Sequence, residues 1–401
     1  MGVSGAKNLP KIARLEDACC GCGACASQCP KGCIQLKPDA FGFRKPKIDA
    51  SQCVQCGACD RVCPSINKKK KDECVSVAWA KSNDMHLLNQ SSSGGIFGLL
   101  AKNTLQCGGM VVGAGWSSDF HDLRHVVVHD FAQLPSLYRS KYLQSRIEKD
   151  VYRQMKSALR QQRSVLFVGT ACQVAGITNY LGDMADSELF LGVEVICHGV
   201  PSPLLWDQWL CHLEEEYQGN ATDINFRSKE TGWSTYSVVY RFSDERSGDE
   251  RRILINHNRD WYMRAFLSDM SLRPSCYQCP SKRSSGSDIT LGDYWGIQEH
   301  HPEVDCSAGV SAVICNTEKG ERAVDSLRDL IDCNTSSLES VVHGNPSLIR
   351  AVNQPSARDE FMNGLASGIP MNQIIDRWPF ESRGLRSKLG KLKSLVEKLI
   401  N

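Results

Sequence analysis

The sequence predicts two fold classes within one chain: a small α+β unit, then a larger α/β body with a mixed sheet and a β-rich insertion. Three observations predict this. One cysteine pattern occurs twice in the first 70 residues. A strand–helix–strand alternation runs over 164–196, as in parallel sheets. A polar, β-rich stretch lies around 222–256. At 401 residues the chain has room for two or three units. The expected divisions are 1–70 for the first unit, 71–160 and 161–345 for the two parts of the body, and 346–401 for a tail.

Composition narrows the function. Hydrophobic residues make up 41% and charged residues 23%, ordinary values for a globular protein. The net charge of +2 supplies no global field for nucleic acid. No apolar run reaches the roughly 18 residues that span a membrane. Met1 to Lys11 lacks the apolar stretch of a secretory signal, so the expected compartment is the cytoplasm. Twenty cysteines stand out. With no export signal and eight of them in two regular clusters, metal ligation in a reducing compartment is the better reading.

The first run is Cys19, Cys22, Cys25, Cys29 and Pro30; the second is Cys53, Cys56, Cys59, Cys63 and Pro64. Each member of the second follows its counterpart by 34 residues. Both read C-x2-C-x2-C-x3-C-P, the spacing of two-cluster bacterial ferredoxins, which hold two 4Fe–4S clusters and transfer electrons. Small residues (Gly21, Gly23, Ala24; Gly57, Ala58) let the backbone close on a cluster. In such pairs the fourth cysteine serves the other cluster. One set is therefore Cys19, Cys22, Cys25 and Cys63, and the other is Cys53, Cys56, Cys59 and Cys29. Zinc knuckles are disfavoured, because zinc sites use separated C-x2-C pairs. Cys20 and Cys33 fall outside the pattern and read as spare. Lys68 to Lys71 reads as a solvated linker, with docking of an acidic partner as the alternative.

Cys74 to Ala80 alternates as a strand. Asn89 to Gly95 then leads into an apolar helix opened by Ile96, Phe97, Leu99 and Leu100. Serines and glycines at such a start can receive a phosphate, although an ordinary N-cap explains them equally well. Met110–Trp116 and Leu123–His129 read as strands. Gly113-Ala-Gly115-Trp116 is not G-x-G-x-x-G, so a nicotinamide fingerprint is missing, which argues against direct use of NAD. Ser140 to Ser145 forms a polar patch before a helix at 147–160.

A strand over Ser164–Gly169 turns at Thr170, Ala171 and Cys172 into a helix, Gln173–Leu181. A second strand, Leu189–Ile196, ends at Cys197, His198 and Gly199. The unit places both cysteines at the carboxyl edge of a parallel sheet, where open α/β sheets bind ligands. Cys276-x2-Cys279-Pro280 completes a fourfold thiolate set and a candidate third 4Fe–4S cluster. A four-thiolate zinc site, a redox-active C-x2-C and unconnected buried cysteines are the alternatives.

Together these motifs resemble the beta-subunit family of coenzyme F420 hydrogenases and dehydrogenases, of which plant hydroxymethyl-chlorophyll reductase is a relative. The matching segments are Ser-Ser-Gly-Gly at 92–95, Ser-Lys-Tyr at 140–142, Gly-Thr-Ala-Cys-Gln at 169–173, Cys-His-Gly at 197–199, Cys276-x2-Cys279, and Asp288 through Gly-Asp-Tyr-Trp-Gly at 292–296. The resemblance covers about residues 74–345, with the ferredoxin segment fused ahead of it. It implies an iron–sulfur flavoprotein, with FAD near Ser92, Ser93, Gly94, Gly95, Ser140, Lys141 and Tyr142, and a cluster on Cys172, Cys197, Cys276 and Cys279. Many members have Pro where this chain has Ala171; the cysteine remains, so little effect is expected. The family name does not establish use of the deazaflavin. Bacterial relatives beside surface-polysaccharide genes bring in a sugar or lipid-linked precursor as substrate.

His198 is a candidate proton donor, against the plainer expectation that it hydrogen-bonds the backbone. Asp293 either contacts flavin, holds a loop under the cluster, or is a turn residue. Arg227, Lys229 and Trp233 lie on the insertion, either a substrate cover or a solvated hairpin. Over 383–400, Leu385, Leu389, Leu392, Val396 and Leu399 recur at helical spacing among Arg386, Lys388, Lys391, Lys393 and Lys398. This basic amphipathic helix suits a membrane surface, a partner, or the protein's own body.

The leading expectation is a cytoplasmic oxidoreductase in which clusters feed FAD and then an organic substrate or a deazaflavin-like acceptor. Its partners would be a redox donor such as ferredoxin or a partner oxidoreductase subunit, and a small-molecule or glycan-precursor substrate. The competing expectations are a non-enzymatic polyferredoxin-like subunit of a larger redox complex and a structural zinc protein.

Overall fold

A computed structural model describes residues 9–244 and 248–380. The candidate tail helix over 383–400 lies outside the described residues. In the N-terminal segment, strands β1 (Ile34–Pro38) and β2 (Arg44–Ile48) form an antiparallel hairpin with Ile34 opposite Ile48. Helices α1 (Ala24–Gln28) and α2 (Ala58–Arg61) each follow a glycine in the left-handed region: Gly23 at φ 87° and Gly57 at φ 68°. A side chain resists that conformation, which turns the chain sharply out of the cysteine loop into one helical turn.

The body is built on an eight-stranded mixed sheet. Its strands are β3 (Ser76–Ser82), β4 (Met110–Trp116), β5 (Leu123–Val128), β6 (Val165–Thr170), β7 (Phe190–Val195), β11 (Ile289–Asp293), β12 (Ser311–Cys315) and β13 (Ile331–Thr335). A separate antiparallel sheet holds β8 (Ala221–Ser228), β9 (Ser237–Ser243) and β10 (Glu250–Asn256). The large sheet runs β13-β3-β12-β11-β7-β6-β4-β5. Its centre, β11-β7-β6-β4, is parallel, and the pairs outside it are antiparallel.

The central strands bury both faces, as parallel strands do. Val111, Leu166 and Val193 point into one core with Leu87 of α3 (Met85–Gln90) and Leu99 and Leu100 of α4 (Ile96–Gln106). Val112 and Phe167 point to the opposite core with Met155 of α5 (Lys149–Arg160) and Val174 and Ile177 of α6 (Ala171–Leu181). Each such side chain contributes about 1.5–3 kcal/mol relative to exposure. A third, aromatic core beneath the small sheet joins Trp206 and Trp209 of α7 (Pro203–Tyr217) to Phe226, Tyr240 and Tyr262.

The strand expected at 74–80 begins two residues later. Just before it, Asp72 accepts hydrogen bonds from the Ser285 and Gly286 amides (3.1 and 2.8 Å), so the chain is tied across the body before it enters the sheet. The insertion is not a solvated hairpin at Arg227 and Trp233, which are only 3% and 4% exposed. No helix among the described residues is long and apolar enough to cross a membrane.

Candidate functional site

The N-terminal thiols form two sets. Cys25 is buried, and burial pushes its thiol well up; the nearby charges of Cys19 and Cys63 add to that rise. Cys22 likewise feels Cys25 and Cys63. Cys19, Cys22, Cys25 and Cys63 line one cavity walled by Ile12, Leu15 and Leu36. Cys29 instead lies with Cys59 and Cys33, its Sγ 3.4 Å from that of Cys33, and Cys53 is close by. This grouping follows the crossed order. The sites fit an iron–sulfur group on chemical grounds: the four thiols of the first set converge on one cavity, and the Gly21 amide donates to Cys19 Sγ at 3.4 Å.

The body presses on the first set. Tyr152 Oη donates to Cys22 O (2.8 Å), and Gln144 Nε2 donates to Cys20 O (2.9 Å). Arg273, fully buried, donates from Nε to Cys19 O, from Nη1 to Gln144 Oε1 and from Nη2 to Arg44 O (2.6, 2.8 and 2.8 Å). One side chain thus clamps the first cysteine loop and strand β2 to the body.

The four body cysteines converge as expected. A capping box between Thr170 and Gln173 fixes the start of α6 and with it Cys172. Ala171 opens this helix without displacing the cysteine. Cys197 follows β7, Cys276 lies within the helical turn Pro274–Gln278, and Cys279 caps its end. All four line one small cavity with Arg273 and Lys282. Burial pushes the Cys197 thiol up to about 12, with the Lys282 ammonium opposing and the charges of Cys172 and Cys279 adding. Lys282 Nζ donates to the carbonyls of Cys197 and Ser347. Cys20 also lines this cavity and is therefore not spare.

At the carboxyl ends of β4, β6, β7 and β11 opens a cavity of about 680 Å3, within the usual range for a small-molecule or cofactor site. Ser92, Ser93, Gly95, Ser140, Lys141, Tyr142, Asp293 and His198 line it. Gly94 does not. It packs against the sheet, where an added Cβ would lie 2.2 Å from Ala80 O, and its amide donates to Ser311 Oγ. The serines do not cap α4. Its N-cap is Gly95, at φ 82°, with no side-chain cap bond. Ser92 Oγ instead accepts from the Ser140 amide (2.7 Å), which joins the two polar segments, and Ser93 Oγ donates to Val310 O (2.8 Å).

Lys229 holds that turn in place. Its Nζ donates to Leu88 O and Ser93 O, both at 2.8 Å, and to Ala308 O. Burial lowers it to about 8. Lys141 is lowered to about 7, again by burial, with Nζ donating to Tyr138 O (2.7 Å). Asp293 is not a free turn residue: its Oδ1 accepts from Trp233 Nε1 (2.9 Å), and its Oδ2 lies 3.1 Å from Arg227 Nη2. That last contact is an ion pair without hydrogen-bond alignment, and Arg227 Nε has no acceptor among the described residues. The guanidinium lies over Tyr236 (3.9 Å) and Trp295 (4.8 Å), and although burial opposes its charge, Asp293 keeps it firmly protonated.

His198 departs from the backbone-bonded expectation. Its Nε2 meets Asp269 Oδ1 at 2.5 Å, and its Nδ1 lies 3.4 Å from Ser347 Oγ. His125 was missed in the sequence. It lines the cavity, stacks on Phe167 and bonds Val168 O through Nε2 (3.0 Å), while Nδ1 is buried without a partner among the described residues. Burial lowers it to about 4, so it stays neutral. An uncapped helix start, an unpaired guanidinium nitrogen and an unpaired imidazole nitrogen on one cavity fit a large polar ligand with a phosphate.

Residues 162–340 match the family described as the C terminus of the coenzyme F420 hydrogenase/dehydrogenase beta subunit, and residues 18–67 match the 4Fe-4S dicluster domain. The chain is thus an iron–sulfur electron-transfer protein related to those beta subunits. No curated protein matches it. Among solved structures, a chain of the xenon-derivatised F420-reducing NiFe hydrogenase complex from Methanosarcina barkeri aligns at 15% identity and a TM-score of 0.44, covering 75% of this chain and 95% of that one.

Proposed function

We propose that this chain, which joins a 4Fe-4S dicluster domain to the C-terminal domain of the coenzyme F420 hydrogenase/dehydrogenase beta subunits, is a ferredoxin-linked, FAD-dependent oxidoreductase acting on an organic substrate or deazaflavin-like acceptor. A third 4Fe–4S cluster on Cys172, Cys197, Cys276 and Cys279 belongs to the proposal. The observation that carries it is a shared wall. Thr170, Val195, Ile196, Cys197, His198, Gly199, Val200 and Ser347 line both the thiol cavity and the large cavity. The shared wall supports a reading in which a one-electron site and a two-electron site stand back to back.

When bound, FAD accepts electrons singly and gives them up in pairs, chemistry that belongs to the cofactor. The protein's part is binding and electrostatics. Ser92, Gly95 and the uncapped start of α4 would receive a phosphate. Arg227 sets positive charge on the cavity wall, suited to an electron-rich ring system, and Lys141, lowered to about 7, can hold or release a proton near neutral pH. His198, oriented by Asp269, is a proton-holding group on the shared wall. The glycan or lipid-linked precursor remains the proposed substrate class, and a redox donor or partner subunit the proposed source of electrons.

Anaerobic purification with iron, sulfide and flavin quantitation tests the reading. The expected result is about twelve irons, four per cube, with one FAD. About eight irons would remove the third cluster. Absence of flavin would leave the electron-carrier role as the function, and zinc in place of iron would overturn every cluster.

A further inference from the structure

Away from the cysteine cavities, one face of α7 carries three side chains with metal-binding atoms. Asp207, Cys211 and Glu214 follow one another at helical spacing, so they line up along the helix. The turn between β4 and β5 lays His121 across them. A His121 ring nitrogen, Cys211 Sγ and a Glu214 carboxylate oxygen all lie within 4.8 Å of one another. These groups are held from behind. His121 Nδ1 bonds Asp207 Oδ1 (2.7 Å), which leaves Nε2 facing Glu214 Oε2 (3.2 Å). The other Glu214 oxygen, Oε1, accepts from the Ala221 amide (2.9 Å). Trp206 Nε1 donates to Phe120 O (2.8 Å) and fixes the backbone next to His121. Cys211 is exposed, and the His121 and Glu214 side chains are partly so, which leaves the group open to an ion from solution.

We propose that His121 Nε2, Cys211 Sγ and Glu214 Oε2 form a surface site for zinc or a zinc-like divalent metal, which pins the β4–β5 turn to α7. One nitrogen, one sulfur and one oxygen suit zinc better than calcium or magnesium, which take oxygen ligands. Water completes four-coordination. Asp207 stands where metal-bound histidines carry a supporting carboxylate. By accepting from Nδ1–H it fixes the tautomer that leaves Nε2 its lone pair. Entry of the metal releases the thiol proton, and an imidazole proton wherever the histidine was charged. The Cys211 thiolate and the Glu214 carboxylate then balance the charge of the ion. The site is separate from the iron–sulfur and flavin readings and depends on neither.

The test uses the full chain purified anaerobically, washed with EDTA and dialysed against buffered zinc, with zinc and iron counted together. Wild type is expected to retain about one zinc per chain with its iron unchanged, and zinc is expected to raise its thermal midpoint. Cys211→Ser and His121→Ala are expected to lose both the zinc and the rise. Asp207→Asn keeps all three ligands and is expected to bind zinc about 10–100-fold more weakly. Because Cys211 is exposed, its serine variant decides the matter even where His121→Ala fails to fold. Wild type that retains no zinc overturns the proposal. So does zinc gained at the expense of iron, which would place it on the cluster cysteines, and so does zinc retained equally by Cys211→Ser, which would make it adventitious. Bound zinc that leaves the midpoint unmoved overturns the pinning of the turn, and unchanged affinity in Asp207→Asn overturns the part given to Asp207.

Discussion

The two N-terminal thiol sets share one sequence pattern and live in different surroundings. Cys22 and Cys56 are equivalent positions in that pattern. Cys22 is buried, with its carbonyl bonded by the fully buried Tyr152. Cys56 is exposed, with its carbonyl bonded by the exposed side chain of Arg61 (3.1 Å), beside a Val54 that is 56% exposed. The inner set faces the body, and the outer set faces solvent. A repeat can thus be symmetric in ligands and asymmetric in dielectric, and solvent exposure is one of the levers that set cluster potential. The asymmetry distinguishes an outer terminal open to solvent from an inner terminal that lies against the body.

The largest expected effect comes from cutting the chain beyond the inner terminal. Cys279→Ala should remove about four irons. Both N-terminal clusters and bound FAD should survive, while flavin reduction by an external one-electron donor slows. Stopped-flow bleaching reads the rate, and an unchanged rate in a variant lacking that cluster would mean that electrons reach FAD by another path.

Cys63→Ala comes next. Although it belongs to the second motif, it should damage the inner cluster of Cys19, Cys22 and Cys25 more than the outer one. EPR showing the reverse would dismantle the crossed grouping.

The two equivalent carbonyls offer a finer test. Tyr152→Phe strands a buried acceptor and should cost about 1–3 kcal/mol of stability. Arg61→Ala, on the surface, should change stability by about 0.5 kcal/mol or less. Denaturant midpoints of the two variants give the comparison, and equal losses would erase the distinction between inner and outer sets.

The smallest effect lies away from both sets. His121 stands between Asp207 (2.7 Å) and Glu214 (3.2 Å). Burial opposes its charge, but the two carboxylates outweigh it and raise its pKa above the ordinary value. A raised histidine contributes stability that is fully present below its unfolded pKa, about 6.5, and lost as pH rises through the folded value. The midpoint of thermal unfolding should therefore fall slightly as pH rises through that window in wild type, and this component should vanish in His121→Gln.

What could be read in the sequence was whatever lay within a short window. The cysteine spacings, the parallel β6–α6–β7 unit and the thiols at its carboxyl edge are all local patterns, and the structure brings these residues together. What could not be read depends on distant partners. Nothing near Arg227 signals that it is buried against Asp293, and nothing near Lys229 signals the three carbonyls that it binds. The Ser-Gly turn looked like a helix cap because serines usually cap. Here the polar atoms are taken by β12 and by Ser140, so the cap falls to Gly95. Cys20 looked spare because the second cavity it lines is built by residues that begin about 150 positions away. The paired cysteine at 19–20 was the available clue, since the ferredoxin pattern requires only the first.

The Arg273 clamp has a consequence for biogenesis. The arginine reaches Cys19 O across 254 positions of chain. During synthesis the N-terminal domain emerges first and folds as a unit. Until residue 273 follows, the carbonyls of Cys19 and Arg44 lack this donor, so the guanidinium can close on the Cys19, Gln144 and Arg44 oxygens only late in synthesis. Docking of the N-terminal segment onto the body is thus completed from the far end of the body rather than from the chain next to it.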